Sequence, residues 1–181
     1  NLRLYLESQS TPYSQRVHDQ LVTAYDDSIR YTDDFFEHLQ SDLADDDPAI
    51  VVHADHGEAF GEHGTYGHHD QLYDPNINVP LIISGVPPNT VTDPVSIRSI
   101  PDVVEKVATG NDPASVSRPS VLTRTGDGTT SAVRGRSWSY IDQDGSGELL
   151  SIEDGAEQVV EDPAAKLAAR NVWQFRSEPE R

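Results

Sequence analysis

The sequence contains no cysteine and no methionine, and only two of its 13 basic residues are lysine. The absence of cysteine excludes disulfides, thiolate metal sites and a cysteine nucleophile within these 181 residues. No run of about 18 apolar residues occurs, so the sequence predicts no transmembrane helix. No basic segment precedes an apolar one at the start, so no signal peptide is visible. Because the first residue is Asn1 rather than methionine, we expect a piece of a longer protein. The expected location is the cytoplasm.

Negative charge dominates the composition. The chain has 31 acidic residues against 13 basic ones, for a net charge of −18, and aspartate alone accounts for 20. Such a surface repels phosphate backbones and anionic lipids, so neither nucleic acid nor a membrane is an expected partner. Molar salt would screen the self-repulsion, because the Debye length falls to about 3 Å there. The aspartate-rich, lysine-poor composition resembles that of proteins from salt-loving microbes, haloarchaea in particular.

The spacing of apolar residues predicts alternating helices and strands. Residues 3–7 alternate like a short strand, and residues 15–43 show the spacing of a long helix. Two compact apolar runs, 49–54 and 79–84, have the pattern of strands that are buried on both faces of a parallel sheet. A further helix is predicted over 97–108, since a proline lies near its start and a glycine follows its end.

After residue 112 the sequence becomes richer in serine, threonine and glycine, and short strands surround a turn at 142–147. That turn has the oxygen spacing of an EF-hand calcium loop, but its strand-like flanks favour a β-hairpin. A closing helix is predicted from Pro163 to about Arg176. The fold class is therefore α/β, a sheet flanked by helices, with a small antiparallel α+β subdomain at the C-terminal end. The expected boundary separates residues 1–120 from residues 121–181.

The reactive side chains concentrate after the first buried strand. They are Asp55, His56, Glu58, Glu62, His63, His68, His69, Asp70 and Asp74. Asp55 and His56 follow the strand directly, which is the preferred position of functional sites in open α/β sheets. The two side chains could turn toward one cation, and on ligand hardness a nitrogen with an oxygen suits manganese or zinc better than calcium. His68 or His69 could donate a proton to a leaving group. The alternative is a solvated polar loop that binds nothing.

Three segments resemble the metal-binding strand and loop of the sulfatase family, in the alkaline phosphatase superfamily. They read VVHADHGEAFGEHG over 51–64, YGHHDQLYD over 66–74 and NVPLII over 78–83. The resemblance extends over most of residues 5–155. It implies an alkaline-phosphatase-like sheet, and it makes residues 1–120 the C-terminal part of a catalytic domain.

The resemblance also implies roles for individual residues. Asp55 and His56 fall at the positions of metal ligands, and calcium is the metal that a sulfatase would use. His69 falls at the lysine position of arylsulfatases and His68 at the histidine position of related enzymes, so either could contact the substrate or the leaving oxygen. The family's nucleophile lies in a Cys/Ser-x-Pro-x-Arg signature, which is expected N-terminal to this chain. The family's His-x-Pro-Tyr motif reads Ser-Thr-Pro-Tyr here, at residues 10–13.

These observations predict a metal-dependent hydrolase of small-molecule sulfate esters, represented by a part that lacks the nucleophile. One alternative is an enzyme of the same superfamily that hydrolyses phosphodiesters or phosphonate monoesters or transfers phosphoglycerol groups. Another is a non-catalytic accessory module that has kept the scaffold.

Overall fold

The computed structural model describes residues 13–46, 48–68 and 71–177. These residues belong to two compact units. The first unit contains the described residues up to 68 together with Val79–Val86, and the second contains residues 71–78 and 87–177. The predicted strand over 3–7 lies outside the described residues. The division into units does not test the predicted boundary after residue 120, which stays a prediction.

The first unit begins with a long helix, α1, over Gln15–Asp42. No glycine or proline interrupts this stretch, and Leu21 on its apolar side is buried. The helix begins after Ser14, whose carbonyl accepts two backbone hydrogen bonds from the first turn. A short 3₁₀ turn over Ala44–Asp46 follows its end. The helix predicted from Gln15 to about Leu43 is confirmed.

The elements that follow α1 are short. Strand β1 covers Ile50–His53, and a small hairpin is formed by β2 (Ala59–Phe60) and β3 (Tyr66–Gly67). The one-turn helix α2 (Asp74–Ile77) belongs to the second unit, and strand β4 (Leu81–Ser84) returns to the first.

Strands β1 and β4 form a two-stranded antiparallel sheet, in which Ile50 lies opposite Ser84 and His53 opposite Leu81. Both strands fall where the apolar runs predicted them. The predicted parallel arrangement is wrong for this pair. Neither strand is buried on both faces, since Ile82 of β4 and His53 of β1 are exposed. A short apolar run fits several strand environments, so its composition alone does not reveal the direction of its partner.

The second unit contains helix α3 (Ile100–Ala108) and an antiparallel meander in the order β5-β6-β7-β8-β9. The strands cover Ser120–Arg124, Thr130–Gly135, Trp138–Gln143, Ser146–Glu153 and Ala156–Val159. Helix α4 (Pro163–Ser177) closes this part of the chain. The α/β class with a small antiparallel C-terminal part is thereby confirmed.

The meander has an apolar core on each face. One core joins Leu72 to Ala132, Ile141 and Leu150, so the segment around α2 covers this face. On the other face Tyr140 and Leu149 pack against Ala169 of α4. The alternation of apolar residues along each strand thus supplies two cores to one sheet.

The turn between β7 and β8 is a tight hairpin and not an EF-hand. Asp144 and Gly145 occupy its two central positions with φ values of 52° and 82°. Two successive positive φ values are the signature of the hairpin turn that matches the strand twist. The preference for a hairpin over a calcium loop is confirmed. Among the described residues, every helix is too short or too polar to cross a lipid bilayer.

Candidate functional site

Asp55 and His56 lie at the end of β1, where the chain leaves the two-stranded sheet. The Asp55 side chain is 86% exposed, and its Oδ1 lies 3.9 Å from His56 Nε2. The same oxygen accepts a hydrogen bond from the His56 backbone amide at 3.1 Å. Hydrogen bonding from its own backbone amide, followed by the neighbouring His56, lowers the pKa of the Asp55 carboxyl. Asp55 therefore offers an ionised oxygen ligand at the surface.

The β2–β3 hairpin brings two further polar residues to the same place. Its register pairs Ala59 with Gly67 and Phe60 with Tyr66. Extending this pairing by one residue places Glu58 opposite His68, and their side chains meet: His68 Nδ1 lies 2.9 Å from Glu58 Oε2. The hairpin therefore determines which carboxylate meets which imidazole.

The tip of the hairpin needs a glycine. Gly61 has a φ of 114°, which an L side chain rarely adopts, and a Cβ there would press on the Tyr66 ring. The Gly61 amide donates to the Thr65 carbonyl at 2.7 Å, which closes the loop. Glu62, a member of the predicted reactive group, uses its carboxylate to accept a hydrogen bond from the Phe60 amide at 2.5 Å. The Glu62 carboxylate therefore stabilises the turn of the hairpin.

Helix α1 supports the hairpin through aromatic contacts. The Tyr66 ring meets the Tyr13 ring edge-on at a centroid distance of 4.6 Å, and Tyr66 Oη lies 3.2 Å from His18 Nδ1. About two helical turns after His18, the Tyr25 ring meets the Phe60 ring of β2 at a centroid distance of 5.1 Å. These contacts attach both strands of the hairpin to α1 and so position Glu58 and His68.

Two imidazoles and one carboxylate form a compact group at the surface of the first unit. The rings of His56 and His68 stack with centroids 4.0 Å apart and an interplanar angle of 24°. One donor atom from each of His56, Glu58 and His68 lies within 4.8 Å of those of the other two. The histidine side chains are 47% and 42% exposed, whereas the Glu58 side chain is only 11% exposed.

The donor set fits a divalent metal ion. Glu58 Oε1 is buried and has no hydrogen-bond partner among the described residues. A buried carboxylate oxygen without a partner is unfavourable, and a cation beside it would remove that penalty. Imidazole nitrogen and carboxylate oxygen are ligands of zinc and manganese, whereas calcium takes six to eight oxygens.

The structure brings together only some of the side chains in the predicted reactive group. His56 and His68 are in contact, and Asp55 lies beside them without joining the compact group. His69 lies outside the described residues. Asp74 belongs to the second unit, where its Oδ1 accepts a hydrogen bond from Arg134 Nε at 2.6 Å. Arg134 thus pairs with a carboxylate, as the excess of acidic residues favours.

Glu58 is the residue to which sequence reasoning assigned no role. The sequence indicates that Glu58 meets His68 only if the position of the hairpin turn between them is known. Glu58 and His68 lie at equal distances in sequence from the centre of the glycine-containing hairpin, a relation that appears only once the register is known.

Comparison with known proteins identifies the family of the chain. A family model described as Sulfatase matches residues 4–94, half of the chain and all of the compact group. The chain belongs to the sulfatase family. The family resemblance noted in the sequence, and with it the place in the alkaline phosphatase superfamily, is confirmed.

Two individual proteins are similar to this sulfatase-family chain. The phosphatidylethanolamine transferase Mcr-2 of Escherichia coli is 40% identical over 55 residues, which are 28% of this chain and 10% of the transferase. A crystal structure of a candidate sulfatase from Bacteroides thetaiotaomicron is 18% identical and has a TM-score of 0.49. That match covers 70% of this chain and 35% of the Bacteroides protein. The chain thus spans a tenth to about a third of the length of these relatives.

Proposed function

We propose that this chain is the C-terminal part of a hydrolase that cleaves small-molecule sulfate esters with the help of a divalent metal. The observation that carries the proposal is the contact of His56 with His68 beside Asp55, inside the segment that matches the sulfatase family. An exposed carboxylate and two imidazoles suit both a cation and an anionic ester.

Asp55 and His56 would hold the metal in this proposal. Such an ion would neutralise the negative charge on the ester oxygens. The Asp55 carboxylate faces solvent, so a second set of ligands from elsewhere in the complete protein could reach the same ion. The resemblance to sulfatases predicts calcium, whereas the imidazole nitrogen favours manganese or zinc.

His68 or His69 would protonate the departing oxygen. The part of His68 in this step is supported by its position, since its ring lies against His56 and is partly open to solvent. Residues 1–120 would belong to the catalytic domain and residues 121–181 to a small subdomain, and the attacking nucleophile would come from a segment N-terminal to the chain.

The transferase similarity supports a second candidate. Mcr-2 is by name a phosphatidylethanolamine transferase, so a phosphate-ester substrate is the alternative for the same site. Assays of the complete protein with an aryl sulfate and an aryl phosphodiester separate the two proposals. Faster turnover of the sulfate supports the first, and faster turnover of the diester overturns it in favour of the second.

The Asp55→Ala variant of the complete protein tests the metal assignment. We expect loss of both bound metal and turnover, because the variant lacks an ionised ligand that is already exposed at the site. Metal content is measured by elemental analysis and turnover with the better ester. An Asp93→Ala variant, which removes an exposed carboxylate of the second unit, is the control. Normal metal content and activity in Asp55→Ala would exclude the assignment.

The charge supports a proposal about the protein's habitat. We propose that the chain comes from a halophilic archaeon and that its net charge of −18 is adapted to high salt. The free energy of unfolding should then rise as potassium chloride is raised toward molar concentration, because screening weakens the repulsion among carboxylates. Urea unfolding at a series of salt concentrations measures this change. A midpoint that does not depend on salt would contradict the proposal.

A further inference from the structure

Glu58 is a buried carboxylate that meets an imidazole at an otherwise exposed site. Its side chain is only 11% exposed, whereas that of Asp55 is 86% exposed. The proposed function leaves the proton donor open between His68 and His69 and gives Glu58 no part. We propose that Glu58 is a positioning residue, which holds His68 in one tautomer and thereby makes His68 the proton donor. This inference rests on the ester cleavage of the proposed function and deepens it.

The hydrogen bond between Glu58 and His68 determines which ring nitrogen keeps its proton. His68 Nδ1 lies 2.9 Å from Glu58 Oε2. An ionised carboxylate only accepts hydrogen bonds, so Nδ1 is the donor and stays protonated whether the ring is neutral or charged. Any proton that the ring exchanges with an ester therefore moves at Nε2.

Burial makes this hydrogen bond a restraint on the imidazole. Glu58 Oε1 is buried and has no hydrogen-bond partner in the part of the chain that the structure describes, so the carboxylate acts there on His68 alone. A hydrogen bond to a charged group is about twice as strong as one between neutral groups, and shielding from water strengthens it further. Exposed Asp55, by contrast, lies 3.9 Å from His56 Nε2 and orients no ring.

The backbone holds the carboxylate against the imidazole before any substrate arrives. Glu58 directly precedes β2 and His68 directly follows β3, and the register of the two strands brings these positions opposite each other. The His56 ring stacks on one face of the His68 ring at a centroid distance of 4.0 Å. The imidazole is thus restrained through Nδ1 and through one face. A catalytic group that is oriented in advance loses less entropy on the way to the transition state.

The proton transfer follows from the tautomer. When the bond between sulfur or phosphorus and the departing oxygen breaks, both electrons stay with that oxygen, and the oxygen takes the proton from His68 Nε2. The ring is left neutral with its Nδ1 proton still donated to Glu58, and it regains a proton at Nε2 from water before the next turnover. A weakly acidic phenol needs this proton most, because its oxygen leaves slowly as an anion. We therefore expect the effect of Glu58 to depend on the leaving group.

Turnover of the complete protein with a series of aryl esters tests this dependence. The esters are sulfates, or phosphodiesters if the protein prefers them, and their phenols range from strongly to weakly acidic. For Glu58→Gln we expect kcat to fall about 10²-fold or more with the least acidic phenol and less than about tenfold with the most acidic one. KM should stay unchanged, because the lost interaction acts only in the transition state.

The size of the loss follows from what an amide does beside an imidazole. The amide of Glu58→Gln can donate to Nδ1, which releases the ring from its tautomer; the corresponding change in a serine-protease triad lowers kcat about 10⁴-fold. Glu62→Gln, in the same hairpin, is the matched control. It should behave as wild type, since glutamine there can still accept the Phe60 hydrogen bond. Circular dichroism confirms that each variant is folded.

The double variant Glu58→Gln/His68→Gln separates positioning from a purely structural role. If Glu58 acts only through His68, Glu58→Gln should cause no further loss of kcat in the His68→Gln background. A further loss there, or a loss that is equal for all phenols, would mean that Glu58 only supports the hairpin and would overturn the inference. Leaving-group dependence that arises in His69→Gln and not in His68→Gln would overturn it as well.

Nitrogen NMR of the protein with ¹⁵N-labelled histidine rings detects the tautomer without any turnover. At alkaline pH, where imidazoles are neutral, the His68 signals should show a protonated Nδ1 and an unprotonated Nε2. His68→Gln identifies these signals, and Glu58→Gln should weaken the preference whereas Glu62→Gln should not. A wild-type His68 ring with its proton on Nε2 overturns the inference.

The two experiments together distinguish this inference from the proposed function. If the tautomer is as expected but the complete protein cleaves neither ester, the proposed function is wrong and the hold of Glu58 on the His68 ring stands. If an ester is cleaved and Glu58→Gln keeps the wild-type kcat with every phenol, the proposed function stands and the positioning role is wrong.

Discussion

Replacing Arg134 by methionine would leave the Asp74 carboxylate buried in the second unit without its counter-ion. The Asp74 side chain is 4% exposed and that of Arg134 is 14% exposed. The guanidinium donates to both carboxylate oxygens, from Nε at 2.6 Å and from Nη2 at 3.3 Å. Its third nitrogen donates to the carbonyls of Gly135 and Arg136. One side chain thus joins the segment around α2 to the β6–β7 turn.

The expected loss is large because the remaining charge cannot reach water. Breaking a buried ion pair by removing one partner typically costs about 3–5 kcal/mol. Asp74 would keep the hydrogen bond that Asn78 Nδ2 donates to Oδ2 at 3.1 Å, and Arg134 is not completely buried. We therefore expect the lower end, about 3 kcal/mol, in the free energy of unfolding of the second unit. With a typical slope of about 2 kcal/mol per molar urea, the midpoint falls by about 1.5 M.

Tryptophan fluorescence during urea unfolding measures this loss selectively. The chain has two tryptophans, Trp138 and Trp173, and both lie in the second unit. Arg136→Met is the matched control, because Arg136 is exposed and its contact with Arg134 uses only the backbone carbonyl. In the double variant Asp74→Asn/Arg134→Met the charge is gone, so the combined loss should be smaller than the sum of the single losses. A loss below about 1 kcal/mol in Arg134→Met, within the range of a surface pair, would refute the reasoning.

Two further predictions concern the same unit. Burial, followed by the negative charge of Glu148, raises the pKa of Tyr73 to about 12 from 10.0. The unfolded chain therefore loses this proton first, and stability should fall as the pH rises from about 10 to about 12. The difference between the ultraviolet titrations of wild type and Tyr73→Phe isolates the Tyr73 phenol from the other six tyrosines. Glu148→Gln should lower the pKa of Tyr73, and a difference signal that titrates near pH 10 would contradict the prediction. A Cβ at Gly135 would overlap Trp138 Nε1, whereas nothing lies near Gly126. Gly135→Ala should therefore cost about 1–3 kcal/mol in urea unfolding, and a loss no greater than that of Gly126→Ala would show that the site can relax.

Much of the fold could be predicted because its signals are local. The apolar spacing of α1 and the two apolar runs of β1 and β4 lie within single segments, and each predicted an element of the correct type. The two edge strands of the meander were not predicted. Strand β9 (Ala156–Val159) is mostly exposed and polar, and β5 (Ser120–Arg124) lies in a sequence rich in serine and proline. Such strands form because a neighbouring strand supplies hydrogen bonds, not because their own side chains form a core.

Strand direction could not be predicted for a related reason. Apolar content indicates how deeply a strand is buried, but the relative direction of two strands depends on the connection between them. Here the residues between β1 and β4 are divided between the two units, and β4 returns antiparallel to β1. A parallel partner would require a crossover connection, which the pattern of β1 alone does not reveal.

The candidate site shows the same division between local and non-local information. Asp55 and His56 could be identified because they directly follow a strand, where the local pattern already indicates a site. The Glu58–His68 contact depends on the pairing of β2 with β3, and that pairing depends on Gly61 at the turn. A shift of one residue in this register would leave Glu58 and His68 on opposite faces of the hairpin and separate them. The aromatic contacts of Tyr66 and Phe60 with α1 oppose such a shift, so residues that bind nothing themselves determine which carboxylate faces the imidazoles.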